Sequence, residues 1–155
     1  MTQMERIREF LGQKRFAMVG VSRRPEHLSR ALYREFSSRG YELVPVNPEA
    51  EEIEGQACFA RLQEIQPPVD TVLLVTAPEG TENAVQDCVQ TGVKRVWMYR
   101  GASNPGAVSA SAVRFCEDHG IAVIPGQCPF MFLPGTHWFH RLHGFVKKIA
   151  GSYPR

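Results

Sequence analysis

Short apolar runs alternate with amphipathic stretches along the chain, and this alternation predicts its elements. Met4–Gly12 has the spacing of a short leading helix. Phe16–Val21 reads as the first strand, followed by a helix over about His27–Arg39 that stops at Gly40, a residue type suited to helix ends. Leu43–Val46 is the second strand. Ile53-Glu54-Gly55-Gln56 forms a turn, Cys58-Phe59 a very short edge strand, and Arg61–Ile65 a helical turn closed by Pro67-Pro68. Thr71–Val75, Arg95–Tyr99 and Ile121–Ile124 are further strands. Helices over Glu79–Thr91 and Ala107–His119 lie between them, each stopped by a glycine, and a last amphipathic helix runs from about Thr136 to Ala150.

Strands made of unbroken apolar residues are buried on both faces, which implies a parallel sheet covered by helices. Regular alternation of strand and helix then gives an α/β fold. It is a doubly wound parallel sheet of five main strands plus one short edge strand, with right-handed crossovers. At 155 residues, without repeats or linkers, the chain is expected to form one domain over residues 1–155 that ends in the C-terminal helix. Sheets of this kind bind ligands beyond the C-terminal strand ends, where the strand order reverses. The loops Gly20–Pro25, Asn47–Glu51, Thr76–Gly80, Arg100–Gly106 and Pro125–Pro134 are therefore where chemistry is expected.

Composition narrows the function. The 43% hydrophobic and 22% charged content is that of a soluble globular protein. No apolar run approaches the ~20 residues of a membrane span. MTQMERIREFL lacks the apolar centre of a signal peptide, so a cytoplasmic location and no membrane partner are expected. A net charge of +2 with scattered basic residues argues against nucleic acid as a partner. Cys58, Cys88, Cys116 and Cys128 form no C-x-x-C and no zinc-finger spacing; the first three are expected to pack as small reduced hydrophobes.

The turn Gly20-x-Ser22 brings backbone close to any ligand, Ser22 adds a hydroxyl, and Arg23 and Arg24 offer forked donors suited to phosphate. The alternative is a plain strand-to-helix turn with two solvated arginines. The second and third glycines of G-x-G-x-x-G are absent, which counts against a standard NAD site. Asn47 stands ~20–30 residues after the glycine turn, roughly where dinucleotide enzymes place an acid on the ribose. A neutral side chain there tolerates a ribose phosphate, although Asn-Pro is also ordinary turn chemistry. Thr76-Ala77-Pro78 leaves room for a slender ligand, and Asn104 reads as a helix cap. No G-x-S-x-G motif is present, and Glu79 and His119 are explained by helix ends.

The segments GVSRRPEHLS, GYELVPVNP, IEGQACFARLQEI, VDTVLLVTAP and VWMYRGASN, in that order, make the chain resemble the small stand-alone CoA-binding proteins. That family is itself similar to the CoA-binding domain of the succinyl-CoA synthetase α subunit. The resemblance covers about residues 10–130 and implies a Rossmann-like sheet with coenzyme A as ligand. The family's contact loops fall on Gly20, Val21, Ser22, Arg23, Arg24 and Pro25, on Val46, Asn47 and Pro48, and on Thr76, Ala77 and Pro78. No catalytic residue carries over, because the synthetase's phosphorylated histidine belongs to a domain that has no counterpart here.

Beyond Gly126 the likeness fades into CPFMFLPGTHWFHRLHGF. Cys128 sits where related proteins often carry a cysteine. At the rim it would face the thiol arm of CoA and could form a mixed disulfide; otherwise it is a buried cysteine ahead of Pro129. Phe130, Met131, Phe132 and Leu133 either form an exposed association surface, from which a homodimer is expected, or fold over the sheet edge. His137, His140 and His143 are spaced by three. On a helix the outer two diverge by ~120°, which fits half-exposed side chains better than a metal site, and no metal is expected. The reading that results is a non-catalytic CoA or acyl-CoA binding protein. Its rivals are an NAD(P)-binding module or redox sensor, and an interaction subunit with a vestigial nucleotide pocket.

Overall fold

The structure is a computed structural model that describes residues 1–101 and 106–133. Thr2 and Glu5 close a reciprocal capping box on α1 (Gln3–Leu11), which buries Ile7 and Phe10. Five parallel strands follow: β1 (Arg15–Val19), β2 (Glu42–Val46), β5 (Thr71–Leu74), β6 (Arg95–Met98) and β7 (Ala122–Pro125). They stand in the order β2-β1-β5-β6-β7, so the chain reverses direction across the sheet between β1 and β5. The expected α/β, Rossmann-like doubly wound sheet is the fold observed.

Alternate residues of each strand feed two separate cores. Phe16, Met18, Leu73, Trp97 and Ile124 pack against α1 and α2 (Leu28–Ser38). Ala17, Val72, Leu74, Val96 and Val123 pack against α3 (Pro78–Gln90) and α4 (Ala110–Asp118). Both faces being dry is what made the strands read as unbroken apolar runs.

Several boundaries differ from the sequence reading, for local reasons. β1 ends at Val19 because Gly20 donates to the Val46 carbonyl at 2.9 Å and then turns with φ +94°. α4 begins three residues later than expected: the Ala107 amide bonds the Tyr99 carbonyl at 2.7 Å, and Ser109 caps the helix, while Asn104 lies outside the described residues. The edge strand expected at Cys58-Phe59 shrinks to one parallel bridge from Phe59 to Val46. Beside it, β3 (Glu52–Ile53) and β4 (Gln56–Ala57) form a small antiparallel hairpin. Glu54 and Gly55 turn it with φ +50° and +76°, the left-handed pair that a two-residue hairpin loop requires. β2 is an edge strand, and Pro45 within it turns its donor-less nitrogen outward, beside the carbonyl that accepts from Phe59.

After β7 the chain folds back over the α1/α2 face. Trp97 Nε1 donates to the Gly126 carbonyl at 2.9 Å, and the Phe132 ring meets the indole edge-on at 6.0 Å. Phe130 and Leu133 are buried there, and Met131 and Phe132 pack against the same core. The association surface expected from these residues is thus folded onto the molecule itself and gives no support to a homodimer. The C-terminal helix expected over residues 136–150 lies outside the described residues, as do His137, His140 and His143. Among the described residues no helix is long and apolar enough to cross a membrane.

Candidate functional site

Where the strand order reverses, the loops after β1 and β5 approach each other closely. A side-chain carbon on Gly20 would meet Thr76 Cγ2 at 2.8 Å and the Thr76 amide nitrogen at 3.1 Å; one on Gly80 would meet Thr76 Cβ at 3.1 Å. Thr76 therefore sits between two glycines. Its hydroxyl lies 2.6 Å from that of Thr81, which is fully buried and also donates to the Ala107 carbonyl at 2.6 Å. This chain of hydrogen bonds joins the loop after β5, α3 and the segment before α4.

Beside the contact lies a cavity of about 230 Å³. Val19 and Gly20 at the end of β1, Val46 and Pro48 at the end of β2, and Thr76, Gly80 and Ala84 after β5 form one part of its wall. Ala60 and Leu62 add apolar surface, while Arg61, Asn83 and Asp87 add polar groups. Arg61 reaches Asp87 at 2.6 Å, and Gln63 donates to the same carboxylate oxygen at 2.8 Å. A larger depression of about 440 Å³ lies at the opposite end of the sheet, lined by Gln13, Lys14, Arg15 and Asp70. It faces the N-terminal strand ends, where parallel sheets do not place their ligands.

The structure brings some of the sequence-predicted residues together and separates others. Gly20, Val46, Pro48 and Thr76 share the cavity wall. Val21 is fully buried among the α1/α2 core residues. Arg23, Arg24 and Pro25 are exposed on the loop beyond β1, where Arg23 pairs with Glu49 at 3.5 Å and Arg24 with Glu26 at 2.8 Å. The Ser22 hydroxyl accepts from the Arg24 amide at 3.0 Å, and the Ser22 amide donates to Ser29 Oγ at 2.9 Å. Asn47 is a brace: its amide nitrogen donates to the Val21 carbonyl at 2.8 Å, and its oxygen accepts from the Glu49 amide at 2.8 Å. Ala77 and Pro78 open α3, whose cap residue provides no side-chain bond. The N-terminus of α2 is instead capped by His27, whose Nδ1 accepts from the Ser29 amide at 3.1 Å.

Cys128 is not on the cavity wall. It is 8% exposed and packs with Trp97, Tyr99 and Phe130 in the α1/α2 core. Burial pushes the Tyr99 hydroxyl up, and the neighbouring Cys128 thiol adds to that shift. A disulfide between Cys128 and any ligand therefore needs the segment after β7 to lift away. Burial also raises Cys88 and takes Cys116 up to about 11, as expected of packed thiols. Cys58 is half-buried, and burial raises its thiol too.

Sequence reasoning missed a second group of charges next to the Ser22 loop. Glu54 accepts from Arg30 and Arg34 of α2. Burial alone pushes the Glu54 carboxyl up, but the hydrogen bonds from both guanidiniums outweigh it and hold the group below the usual carboxylate range. A depressed carboxylate stabilises the fold fully above its unfolded pKa, and that stability is lost as pH falls through the folded value. We therefore expect the urea midpoint of the native chain to exceed that of Glu54→Gln at neutral pH, with the gap narrowing on acidification. A gap that stays constant with pH would place the stabilisation elsewhere. The available signal was Arg30, a charge on the helix face that also carries the buried Tyr33 three residues on.

Comparison with known proteins agrees with this fold. An uncharacterized protein of Bacillus subtilis, YneT, is 30% identical over 123 residues, which cover 79% of this chain and 87% of that protein. The α subunit of an ADP-forming acetate–CoA ligase of Pyrococcus furiosus is 26% identical over 88 residues, 56% of this chain but only 19% of the subunit. A hypothetical protein from Pyrococcus horikoshii superposes with a TM-score of 0.72 at 25% identity, over 83% of this chain and 87% of that one. The family model for the CoA binding domain matches residues 14–134, a span that takes in the sheet, the Gly20–Thr76–Gly80 contact and the cavity beside it, and the chain belongs to that family.

Proposed function

We propose that this protein binds coenzyme A, free or acylated, at the crevice between β1 and β5, and acts as a binding unit without chemistry of its own. The observation that carries the reading is the cavity at the strand-order reversal, lined by Gly20, Thr76 and Gly80, in a chain of the CoA-binding domain family. At about 230 Å³ the cavity is smaller than the ~300–1,000 Å³ typical of whole-ligand pockets, so it suits one end of a long ligand. The remainder would lie along the loops, with Arg23 and Arg24 as phosphate partners. Their present carboxylate partners are exposed, and such pairs contribute only ~0–1 kcal/mol, so a phosphate can displace them.

The similarity to an acetate–CoA ligase subunit supports coenzyme A as the ligand. Asn47 weighs against NAD, because a neutral amide, already bonded to backbone at both ends, stands where dinucleotide enzymes place an acid on the ribose diol. Calorimetric titration should show coenzyme A binding and much weaker binding of NAD. Equal or reversed affinities would reject the reading in favour of a dinucleotide module. Binding of neither, together with no ligand in intact-mass spectra of natively purified protein, would favour an interaction subunit.

A further inference from the structure

Carbonyl oxygens carry partial negative charge, so a loop that receives an anion must keep them turned away from it. In the loop between β1 and α2 this is done by side chains from outside the loop. Arg30 Nη1 donates to the carbonyls of Ser22 and Arg23 at 3.3 and 3.2 Å, and Arg34 Nη1 donates to that of Pro25 at 3.3 Å. Both guanidiniums then meet on one oxygen, Glu54 Oε2. Arg30 reaches it through Nε at 2.9 Å and Nη2 at 2.6 Å, and Arg34 at 3.1 Å. Glu54 stands at the tip of the β3–β4 hairpin, and the side chains of Arg30 and Glu54 are 11% and 23% exposed.

A guanidinium this far out of water is held in place by its carboxylate, and removing one partner of such a pair leaves the other poorly compensated. Arg30 freed from Glu54 would swing toward water or another anion and release the Ser22 and Arg23 carbonyls. Asn47 would still hold the Val21 carbonyl, so the disturbance should be confined to the residues beyond Val21.

We propose that Glu54 is a positioning residue for the anion loop: acting through Arg30, it keeps the Ser22 and Arg23 carbonyls turned toward α2 and so sets the affinity for the phosphates of coenzyme A. The proposal rests on the coenzyme A reading above and adds a remote residue to it. The hairpin, none of whose residues lines the cavity, becomes part of the binding machinery.

The test compares the native chain with Glu54→Gln, which keeps the size and loses the charge, and Glu54→Asp, which keeps the charge. Coenzyme A is titrated by calorimetry, and amide exchange is followed in the ligand-free proteins. Glu54→Gln should bind about tenfold more weakly, with faster exchange confined to residues 22–26, and Glu54→Asp should recover most of both. A purely structural role predicts a lower melting temperature with affinity unchanged. Folded Glu54→Gln binding within about twofold of native would overturn the proposal, whatever the loop exchange shows. If Glu54→Gln does not fold, Arg30→Lys carries the same test, because it keeps a positive charge for Glu54 but loses the fork that also reaches the Ser22 and Arg23 carbonyls. A native chain that fails to bind coenzyme A overturns the functional reading and this proposal together. A native chain that binds while the folded variant matches it overturns the proposal alone.

Discussion

Gly20→Ala should destabilise the fold by roughly 2–6 kcal/mol and abolish measurable coenzyme A binding. Two effects add. A non-glycine residue at φ +94° carries backbone strain of ~1–3 kcal/mol. The new Cβ also presses on Thr76 at 2.8 Å, and on its backbone at 3.1 and 3.2 Å, where overpacking costs a further ~1–3 kcal/mol. The side-chain contact can be relieved by rotation of Thr76, but the backbone contacts cannot, so β1 and β5 must part where the cavity begins. Gly40→Ala separates the two effects. That residue has φ +89° with nothing within 4 Å of its would-be Cβ, so it reports strain without crowding. Urea unfolding of both variants should show the larger loss at Gly20, and equal losses would remove crowding from the explanation.

Replacing Arg23 and Arg24 together with alanine should weaken coenzyme A binding by about 2–4 kcal/mol, taking ~1–2 for each charge-assisted bond. The fold should be nearly unaffected, since both side chains are exposed and, among the described residues, pair with exposed carboxylates. Dephospho-coenzyme A should also bind the native chain less well if either guanidinium reads the ribose phosphate. Calorimetry that finds the double variant equal to native would leave the arginines as solvated charges, and the phosphate site would have to be sought elsewhere on the rim.

The fold was legible in the sequence because burial on both faces of the sheet writes itself as apolar runs. Phe16–Val21 and Thr71–Val75 announced β1 and β5 to within two residues. The loops that meet at the cavity were legible for the same reason: once the strands are known, their C-terminal ends are known. Contacts between residues distant in sequence were not legible. Nothing local indicates that Thr76 lies against Gly20, that Arg61 reaches Asp87, or that Glu54 collects two arginines from α2. Such pairs have no periodicity, and they exist only once the strand order is fixed. The apolar count of CPFMFLP shows that these residues seek cover. It does not show which surface covers them, and they found it on the molecule's own α1/α2 core.

The sheet order also sets a problem in time for the growing chain. β1 is an interior strand of the finished sheet but is the first strand made, and its partners arrive unequally: Val19 pairs with Val46 on one side and with Leu74 on the other. At ~5–20 residues per second, the wait between completing β1 and completing β5 is about 3–10 s. Through that interval the Ala17–Val19 edge is an apolar template open to any strand that meets it. β2 can cover one side early, and Pro45 blunts its outer edge. The other side has no such guard until Thr71–Leu74 is made, so during synthesis the hazard lies on the flank that will later border the cavity.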